Sequence, residues 1–386
     1  MNQPLFVLAV LAANVVVSEW LVRHTPLRHL GSALLVIVLT AITANTGVIP
    51  PYSDDTPLYG GIFDYLAPLG IFWLLLQVRL GSLAQVGAPM LVLFLVGALG
   101  TVAGVVAGML AVGGADAFGP LSFAVAGMFT GTYVGGSVNF NAVAFEYGVV
   151  KDGALYAGAA VVDSAMTTIW MVVNVAVPRL LGRLWKGARR GTTVGGARGP
   201  LTGEAEDTET VHPMDLGMVL ALGAGVVWGS GEIAALVLER TGRDIPEMLI
   251  LTTLALVLAQ VPVVARLRGT RMVGMFAIMM FLAVIGALCD VEALRGMGAL
   301  GVDLSIFVCI VVAVHGLVVY GASLALRIDP NVASVASQTN IGGGTTALAL
   351  ARSLGRADLV LPAILLGSVG TALGTYLGFL VAEWLQ

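Results

Sequence analysis

Two segments of the sequence concentrate groups that can bind ions or polar molecules. Residues 130–148 read TGTYVGGSVNFNAVAFEYG, and residues 337–355 read SQTNIGGGTTALALARSLG. Each segment places a Gly-Gly pair among Asn, Ser and Thr, and Gly135 and Gly342 are 207 residues apart. Neutral oxygens of this kind bind hard cations, and such sequence is poor helix material. We therefore predict two related breaks that bind an ion or a solute.

The predicted ion- and solute-binding residues are those of the two breaks together with one buried acid. They are Gly135, Gly136, Ser137, Asn139, Asn141, Asp163, Gln338, Thr339, Asn340, Gly342, Gly343, Thr345 and Thr346. Asp163 lies in an apolar run, where an ionised group is costly and usually functional. It is predicted as a cation ligand or protonation site, and the alternative is a protonated structural Asp. Na⁺ is expected at Asn139, Asp163 and Asn340, unless the small residues serve only helix packing.

Two further ionisable residues are candidates for the same site. His315 lies at the centre of an apolar run, where a neutral, hydrogen-bonded imidazole is the alternative to a functional one. Glu146 lies on the outgoing arm of the first break. The sequence has no GxxxxGK[ST] phosphate loop and no HExxH motif. We therefore expect no enzyme activity and no cofactor apart from a coupling ion.

The composition indicates that membrane helices position these residues. Of 386 residues, 58% are hydrophobic and 11% are charged, and the mean hydropathy is +0.95. A soluble domain is about 25% charged, so this chain has too little polar surface for water. The net charge of −4 argues against a nucleic-acid partner. The expected partners are the lipid bilayer and a small-molecule solute, with a homodimer through the glycine-rich run Leu80 to Ala115 as a further expectation.

Ten apolar segments are long enough to span a bilayer, which takes about 20 residues. They lie near residues 4–22, 29–49, 58–78, 87–112, 154–178, 214–238, 247–265, 272–289, 301–326 and 359–383. The predicted fold is an all-α polytopic membrane protein with about ten transmembrane helices. Two broken or re-entrant helical segments, near 119–149 and 330–351, complete an inverted repeat.

A polar stretch divides the chain into a first membrane repeat (1–178), a flexible linker (179–213) and a second membrane repeat (214–386). If each broken segment returns to the side it entered from, each half has five crossings. Of the 19 Lys and Arg residues, 15 then lie on one face, as the positive-inside rule requires. We expect a bacterial inner-membrane protein with a cytoplasmic linker and both termini extracytoplasmic. Crossed, unwound helices remain the alternative to hairpins.

The motifs GTYVGGSVNFNAVA and ASQTNIGGGTTALALA together resemble the paired signatures of the YjcL-like membrane proteins, a bacterial and plant family of unknown function. The usual second motif is closer to SNANIGGPTTA, from which the stretch Gln338-Thr339-Asn340 departs at its first two residues and Gly344 departs from the proline. The resemblance covers essentially the whole chain. In architecture the chain is also similar to the glutamate–sodium and bile-acid–sodium symporters, which implies a sodium- or proton-coupled carrier.

The expected function is secondary active transport of a small polar or anionic solute by alternating access. Na⁺ is the first choice of coupling ion and H⁺ the second. A channel is one alternative, although it needs a continuous polar pore. A non-transporting sensor or assembly subunit is another, although it needs a sizeable soluble domain or partner surface.

Overall fold

The computed structural model describes residues 3–29, 31–51, 56–78, 81, 86–181, 211–243, 245–288 and 298–386. Helices dominate these ranges, so the all-α prediction is confirmed. The predicted linker lies mostly outside the described residues. The division into two repeats therefore stays a prediction, although the first repeat's final helix continues past residue 178.

The two halves have the same order of helices. The first half contains α1 (Pro4–His24), α2 (Gly31–Asn45), α3 (Pro57–Leu75), α4 (Ala88–Val112), α5 (Ser122–Gly135), α6 (Ser137–Glu146) and α7 (Gly153–Leu181). The second half contains α8 (Pro213–Thr241), α9 (Glu247–Ala259), α10 (Thr270–Leu288), α11 (Gly298–Ala325), α12 (Pro330–Ser353) and α13 (Val360–Leu385). The helix α12 includes a break and corresponds to α5 and α6 together.

The helix lengths confirm a multi-pass membrane protein. In the described ranges, nine helical segments are long and apolar enough to cross a membrane, and one of them ends at Gly135 on the first broken segment. The helices α2 and α9 are shorter, with 15 and 13 residues. The helix α9 ends at Ala259 instead of near residue 265. Pro262 lacks an N–H and its ring would clash with the carbonyl of Leu258.

The first broken segment is a helical hairpin, called hairpin 1 here (α5 and α6). The two helices meet at Gly136, whose φ of 95° and ψ of 176° turn the chain. The Asn139 side chain donates to the Gly131 carbonyl at 3.1 Å, and the rings of Phe123 and Tyr147 lie 5.2 Å apart. The pair Asn139 and Gly131 lies near Gly136, and the pair Phe123 and Tyr147 lies far from it on both sides. The two arms are therefore antiparallel, and the segment is re-entrant.

The second broken segment, hairpin 2 (α12), has the same design. Its break is Gly343, with φ 74° and ψ −177°, 207 residues after Gly136. The Gln338 amide donates to the Thr346 hydroxyl across the arms at 3.1 Å. At the base, Arg356 and Asp329 form an ion pair at 2.6 Å. Both breaks need positive φ, which glycine adopts at little cost.

The helices before each hairpin, α4 and α11, pack against each other in antiparallel directions. A Cβ at Gly104 would lie 2.7 Å from the Val311 carbonyl oxygen, and one at Gly108 would lie 2.7 Å from the Phe307 ring. Corresponding helices of the two halves therefore run in opposite directions here, as an inverted repeat requires. These glycines of α4 face the same chain, so they do not support the expected homodimer interface.

The helices form two bodies. Hairpins 1 and 2 lie among α4, α7, α11 and α13, and we call this group the core body. The remaining six helices pack chiefly with one another, and we call them the scaffold body. Within the scaffold, the Trp73 indole donates to the Val219 carbonyl at 2.9 Å, and Gln77 donates to the Thr270 hydroxyl at 2.5 Å.

Candidate functional site

The tips of the two hairpins touch each other inside the core body. A Cβ at Gly136 would lie 3.8 Å from the Cα of Gly343, and one at Gly343 would lie 3.9 Å from the Cα of Gly136. The helix α6 and the second arm of hairpin 2 both begin at this contact. The site is thus formed by two broken helices that meet end to end.

Hairpin 1 is bound tightly to α13 through glycines of both helices, which we call the glycine seam. The seam consists of Gly127, Gly131 and Gly135 of α5 with Gly378, Gly374 and Gly370 of α13. A Cβ at Gly135 would lie only 1.8 Å from the Gly370 carbonyl oxygen. A Cβ at Gly374 would lie 2.6 Å from the Gly131 carbonyl oxygen. The two backbones are therefore in direct contact over about two and a half helical turns.

The corresponding surface between hairpin 2 and α7 is polar. The repeat distance of 207 residues relates each seam glycine to a position in the other half. The α5 glycines correspond to Ser334, Gln338 and Gly342 on α12, and the α13 glycines correspond to Asp163, Thr167 and Met171 on α7. The Asn174 amide of α7 donates to Gln338 Oε1 at 2.9 Å. A Cβ at Gly342 would lie 3.1 Å from the Thr167 methyl group. Hairpin 2 therefore meets α7 through side chains, whereas its tip lies against the backbone of α13, where a Cβ at Gly367 would lie 2.4 Å from the Cα of Gly344.

Asp163 is half-buried on α7 and reaches hairpin 1. The Thr132 hydroxyl donates to its Oδ1 at 3.4 Å, and the Tyr133 hydroxyl interacts with the same carboxylate. One carboxylate and two hydroxyls provide oxygen ligands of the kind that hard cations prefer. No three His, Cys, Asp or Glu side chains of the described residues come together as a metal site.

His315 is fully buried between α4 and hairpin 2. Its Nδ1 lies 3.0 Å from the Gly97 carbonyl oxygen and 3.0 Å from the Thr101 hydroxyl, and its Nε2 lies 2.9 Å from the Ser337 hydroxyl. Because a carbonyl only accepts, Nδ1 carries the proton. Ser337 accepts from the Trp170 indole at 2.9 Å and can donate to Nε2. A neutral imidazole satisfies all these contacts, which favours the structural alternative.

The two asparagines of α6 are used in internal contacts. Asn139, fully buried, donates to Gly131 and accepts from the Thr375 hydroxyl at 2.7 Å. The Asn141 side chain accepts from the Tyr156 hydroxyl. Both residues thus hold hairpin 1 in shape. A Na⁺ site that combines Asn139 with Asp163 and Asn340 stays a prediction, since these side chains contact different neighbours.

The predicted residues of hairpin 2 differ in their surroundings. Thr345 is exposed, as is Ser137 at the other tip. The Thr339 hydroxyl donates to the Val335 carbonyl one turn earlier at 2.7 Å. Asn340 is fully buried, and neither its Oδ1 nor its Nδ2 has a hydrogen-bond partner. An unpaired buried polar group costs about 1–3 kcal/mol.

Glu146 links the core body to the scaffold body. Its Oε1 accepts from the Glu247 amide at 2.8 Å and its Oε2 from the Met248 amide at 3.0 Å. The carboxylate therefore caps the N-terminus of α9, where negative charge is favourable. At the base of hairpin 2, hydrogen bonds to Asp358 raise the pKa of Arg356 further above its ordinary value, so the guanidinium that pairs with Asp329 stays charged.

Sequence reasoning missed a set of polar residues in the interior. They are Thr101, Thr132, Tyr133, Thr167, Trp170, Asn174, Tyr320, Ser334 and Ser337. Several form one connected group: the Tyr320 hydroxyl donates to Asn174 at 2.6 Å and lies 2.8 Å from the Ser334 hydroxyl. Polar residues in otherwise apolar helices were the available signal, and Asn174 was the clearest of them.

Comparison with known proteins identifies the family. The family described as "Protein of unknown function (DUF819)" matches residues 6–386. The chain is also 26% identical over 363 residues to the "Uncharacterized membrane protein YjcL" of Bacillus subtilis (strain 168), covering 91% of this chain and 89% of that protein. The chain belongs to the DUF819 family, and the resemblance drawn from the two motifs is confirmed.

Proposed function

We propose that this DUF819 protein is a cation-coupled secondary transporter of a small polar or anionic solute. It would work in the bacterial inner membrane, with residues 179–213 on the cytoplasmic side. The observation that carries the proposal is the contact between Gly136 and Gly343, where two re-entrant hairpins meet inside the protein. Broken helices of an inverted repeat form the ion and substrate sites of many carriers.

The charges near the tips support cation coupling. Asp163 contributes a carboxylate, and Thr132 and Tyr133 contribute hydroxyls. Na⁺ would bind these oxygens, and a proton on Asp163 is the second choice. The α6 helix starts at the tip with 10 residues, and its N-terminus favours negative charge. A polar or anionic solute beside the cation would use both features.

The two-body arrangement supports alternating access. The hairpins belong to the core body, and the core and scaffold bodies pack less extensively with each other than each packs internally. The polar contacts between them include Glu146 at the start of α9 and the Thr253 hydroxyl, 2.7 Å from that of Tyr376. Movement of the core body against the scaffold would carry the tip contact from one side of the membrane towards the other.

The test is the melting temperature of the detergent-purified protein in Na⁺ against K⁺ and across pH. Wild type is compared with Asp163→Asn and with Glu232→Gln, which removes an exposed carboxylate from α8. A ligand at 100 times its dissociation constant adds about 2.7 kcal/mol. We expect Na⁺ to stabilise wild type and Glu232→Gln but not Asp163→Asn.

The other outcomes separate the alternatives. A pH-dependent shift that needs Asp163, without a Na⁺ effect, would select proton coupling. A protein that responds to neither Na⁺ nor pH would contradict the cation-coupled transporter and return the channel and the sensor to consideration.

A further inference from the structure

The same unusual feature occurs once in each hairpin. Three buried side-chain polar atoms of the described residues lack a partner in ordinary hydrogen-bond geometry: Asn340 Oδ1, Asn340 Nδ2 and Tyr133 Oη, the last of which still interacts with the Asp163 carboxylate. Tyr133 and Asn340 are 207 residues apart and each precedes its break glycine by three residues. Both side chains are 0% exposed. The repetition at equivalent positions argues that these groups serve a ligand, because buried polar groups are otherwise almost always paired.

The two positions differ in the charge they face. Tyr133 interacts with the carboxylate of Asp163. The residue 207 positions after Asp163 is Gly370, so the second half lacks a carboxylate at the place equivalent to Asp163. Tyr133 is therefore suited to work beside a cation, whereas Asn340 lacks the charge that would hold one.

The side chain of Asn340 lies against Gly97 of α4, which offers its carboxamide no hydrogen-bond partner. A Cβ at Gly97 would lie 2.4 Å from Asn340 Oδ1, so only glycine leaves room for the carboxamide. The same Cβ position is 3.0 Å from a ring carbon of His315 and 3.1 Å from a methyl group of Val319. These carbon atoms are no substitute for a hydrogen-bonding partner.

We propose that Asn340 recognises the transported solute through a neutral group that both donates and accepts hydrogen bonds, such as a hydroxyl or a carboxamide. A cation would pair only with Oδ1, and an anion only with Nδ2. A hydroxyl or carboxamide pairs with both. This inference rests on the proposed transport function and divides the work between the halves, with the cation at Asp163 and solute recognition at Asn340.

Recognition at Asn340 requires that hairpin 2 moves. Because the carboxamide is closed off between the hairpin and α4, a solute reaches it only when these elements separate. Hairpin 2 meets α7 through side chains but lies backbone to backbone on α13 at Gly344 and Gly367, so hairpin 2 would separate from α4 together with α13.

The test uses Asn340→Leu in the full-length protein, with Asn139→Leu as the matched control. Both residues are fully buried asparagines, but Asn139 has partners. The first readout is the melting temperature without solute. We expect Asn340→Leu to melt at or above the wild-type temperature, because an unpaired amide is lost, and Asn139→Leu to melt below it. A clear drop for Asn340→Leu would show that the protein or an internal water already satisfies this amide, and would overturn the proposal.

The second readout is ligand stabilisation in Na⁺ buffer. The probes are glycolamide, which carries a hydroxyl and a carboxamide, and propionate and propylammonium as anion and cation of similar size. We expect glycolamide to stabilise wild type, and its apparent affinity to fall about tenfold or more in Asn340→Leu. Equal responses of the two proteins to glycolamide, or no response in either, would overturn the proposal.

A third variant, Tyr133→Phe, changes the side chain so little that it is expected to fold, and it tests how the two sites are divided. Tyr133→Phe removes the hydroxyl that interacts with Asp163, with little change in side-chain shape. We expect it to keep the glycolamide response and to lose part of the Na⁺ response, and the reverse pattern would contradict the assignment. If Na⁺ still stabilises wild type but Asn340→Leu does not alter the glycolamide response, this inference alone is overturned. If neither Na⁺ nor pH changes the melting temperature of wild type, the result counts against the transport function itself.

Discussion

The glycine seam predicts that one added methyl group at Gly135 severely destabilises the protein. In Gly135→Ala the new Cβ would lie 1.8 Å from the carbonyl oxygen of Gly370. Ordinary van der Waals contact begins at 3.4 Å. The obstacle is backbone, which cannot rotate away as a side chain can, so α5 and α13 must separate.

The size of the effect follows from this overlap. The helices must move apart by about 1.6 Å, and the contacts at Gly131 and Gly127 then weaken together with that at Gly135. Overpacking of a tight interior costs about 1–3 kcal/mol, and we expect the upper end here. Gly321→Ala is the control, because nothing lies within 4 Å of the new Cβ on α11.

The assay is the melting temperature measured by size-exclusion chromatography of heated, detergent-solubilised protein. Gly321→Ala should melt at or slightly above the wild-type temperature, since Ala favours helix by up to about 1 kcal/mol. Gly135→Ala should melt well below it. If both variants melt together with wild type, backbone contact along the seam is refuted.

Three further substitutions test individual contacts. Glu146→Ala leaves two amides at the start of α9 without their acceptor and should cost about 1–2 kcal/mol in thermal melting. Arg356→Gln breaks the ion pair with Asp329, whose side chain is 10% exposed, and should cost about 3 kcal/mol; hydrogen exchange at the base of hairpin 2 should accelerate. Thr375→Val removes the hydroxyl that donates to Asn139 and should cost about 1–3 kcal/mol by thermal melting.

Each of these predictions has its own control. Glu146→Gln keeps an acceptor oxygen and should lose less stability than the alanine variant. Arg356→Lys keeps the charge but not the forked donor geometry, and should fall between wild type and Arg356→Gln. Thr253→Val removes an exposed hydroxyl and should change the melting temperature little. If each control loses as much stability as its test variant, the assigned contacts are wrong.

The sequence predicted the hairpins because their signals are local. Glycine pairs among Asn, Ser and Thr cannot continue a membrane helix, and the breaks at Gly136 and Gly343 fall within the predicted segments. The repeat distance of 207 residues also relates the two breaks in the structure. The charge distribution favoured hairpins over crossed helices, and the antiparallel arms agree with it.

The remaining details depend on contacts that a linear pattern does not contain. Asn139 and Asn340 look alike in sequence, yet one amide is satisfied by residues on two helices and the other is unpaired. Glu146 caps a helix that begins 101 residues later. In the sequence, the glycines of α4 fit contact with a second copy of the protein as well as contact with α11, and only the structure shows that they face α11. Periodicity identifies a buried position but not its partner.

The glycine seam also has a consequence for biosynthesis. The Thr371 hydroxyl of α13 donates to the Gly135 carbonyl across 236 residues of sequence. At about 5–20 residues per second, α13 is made roughly 10–50 seconds after α5. During that interval the small-residue face of α5 has no side chains to shield its backbone from lipid. The core therefore closes only after the second half has been threaded into the membrane.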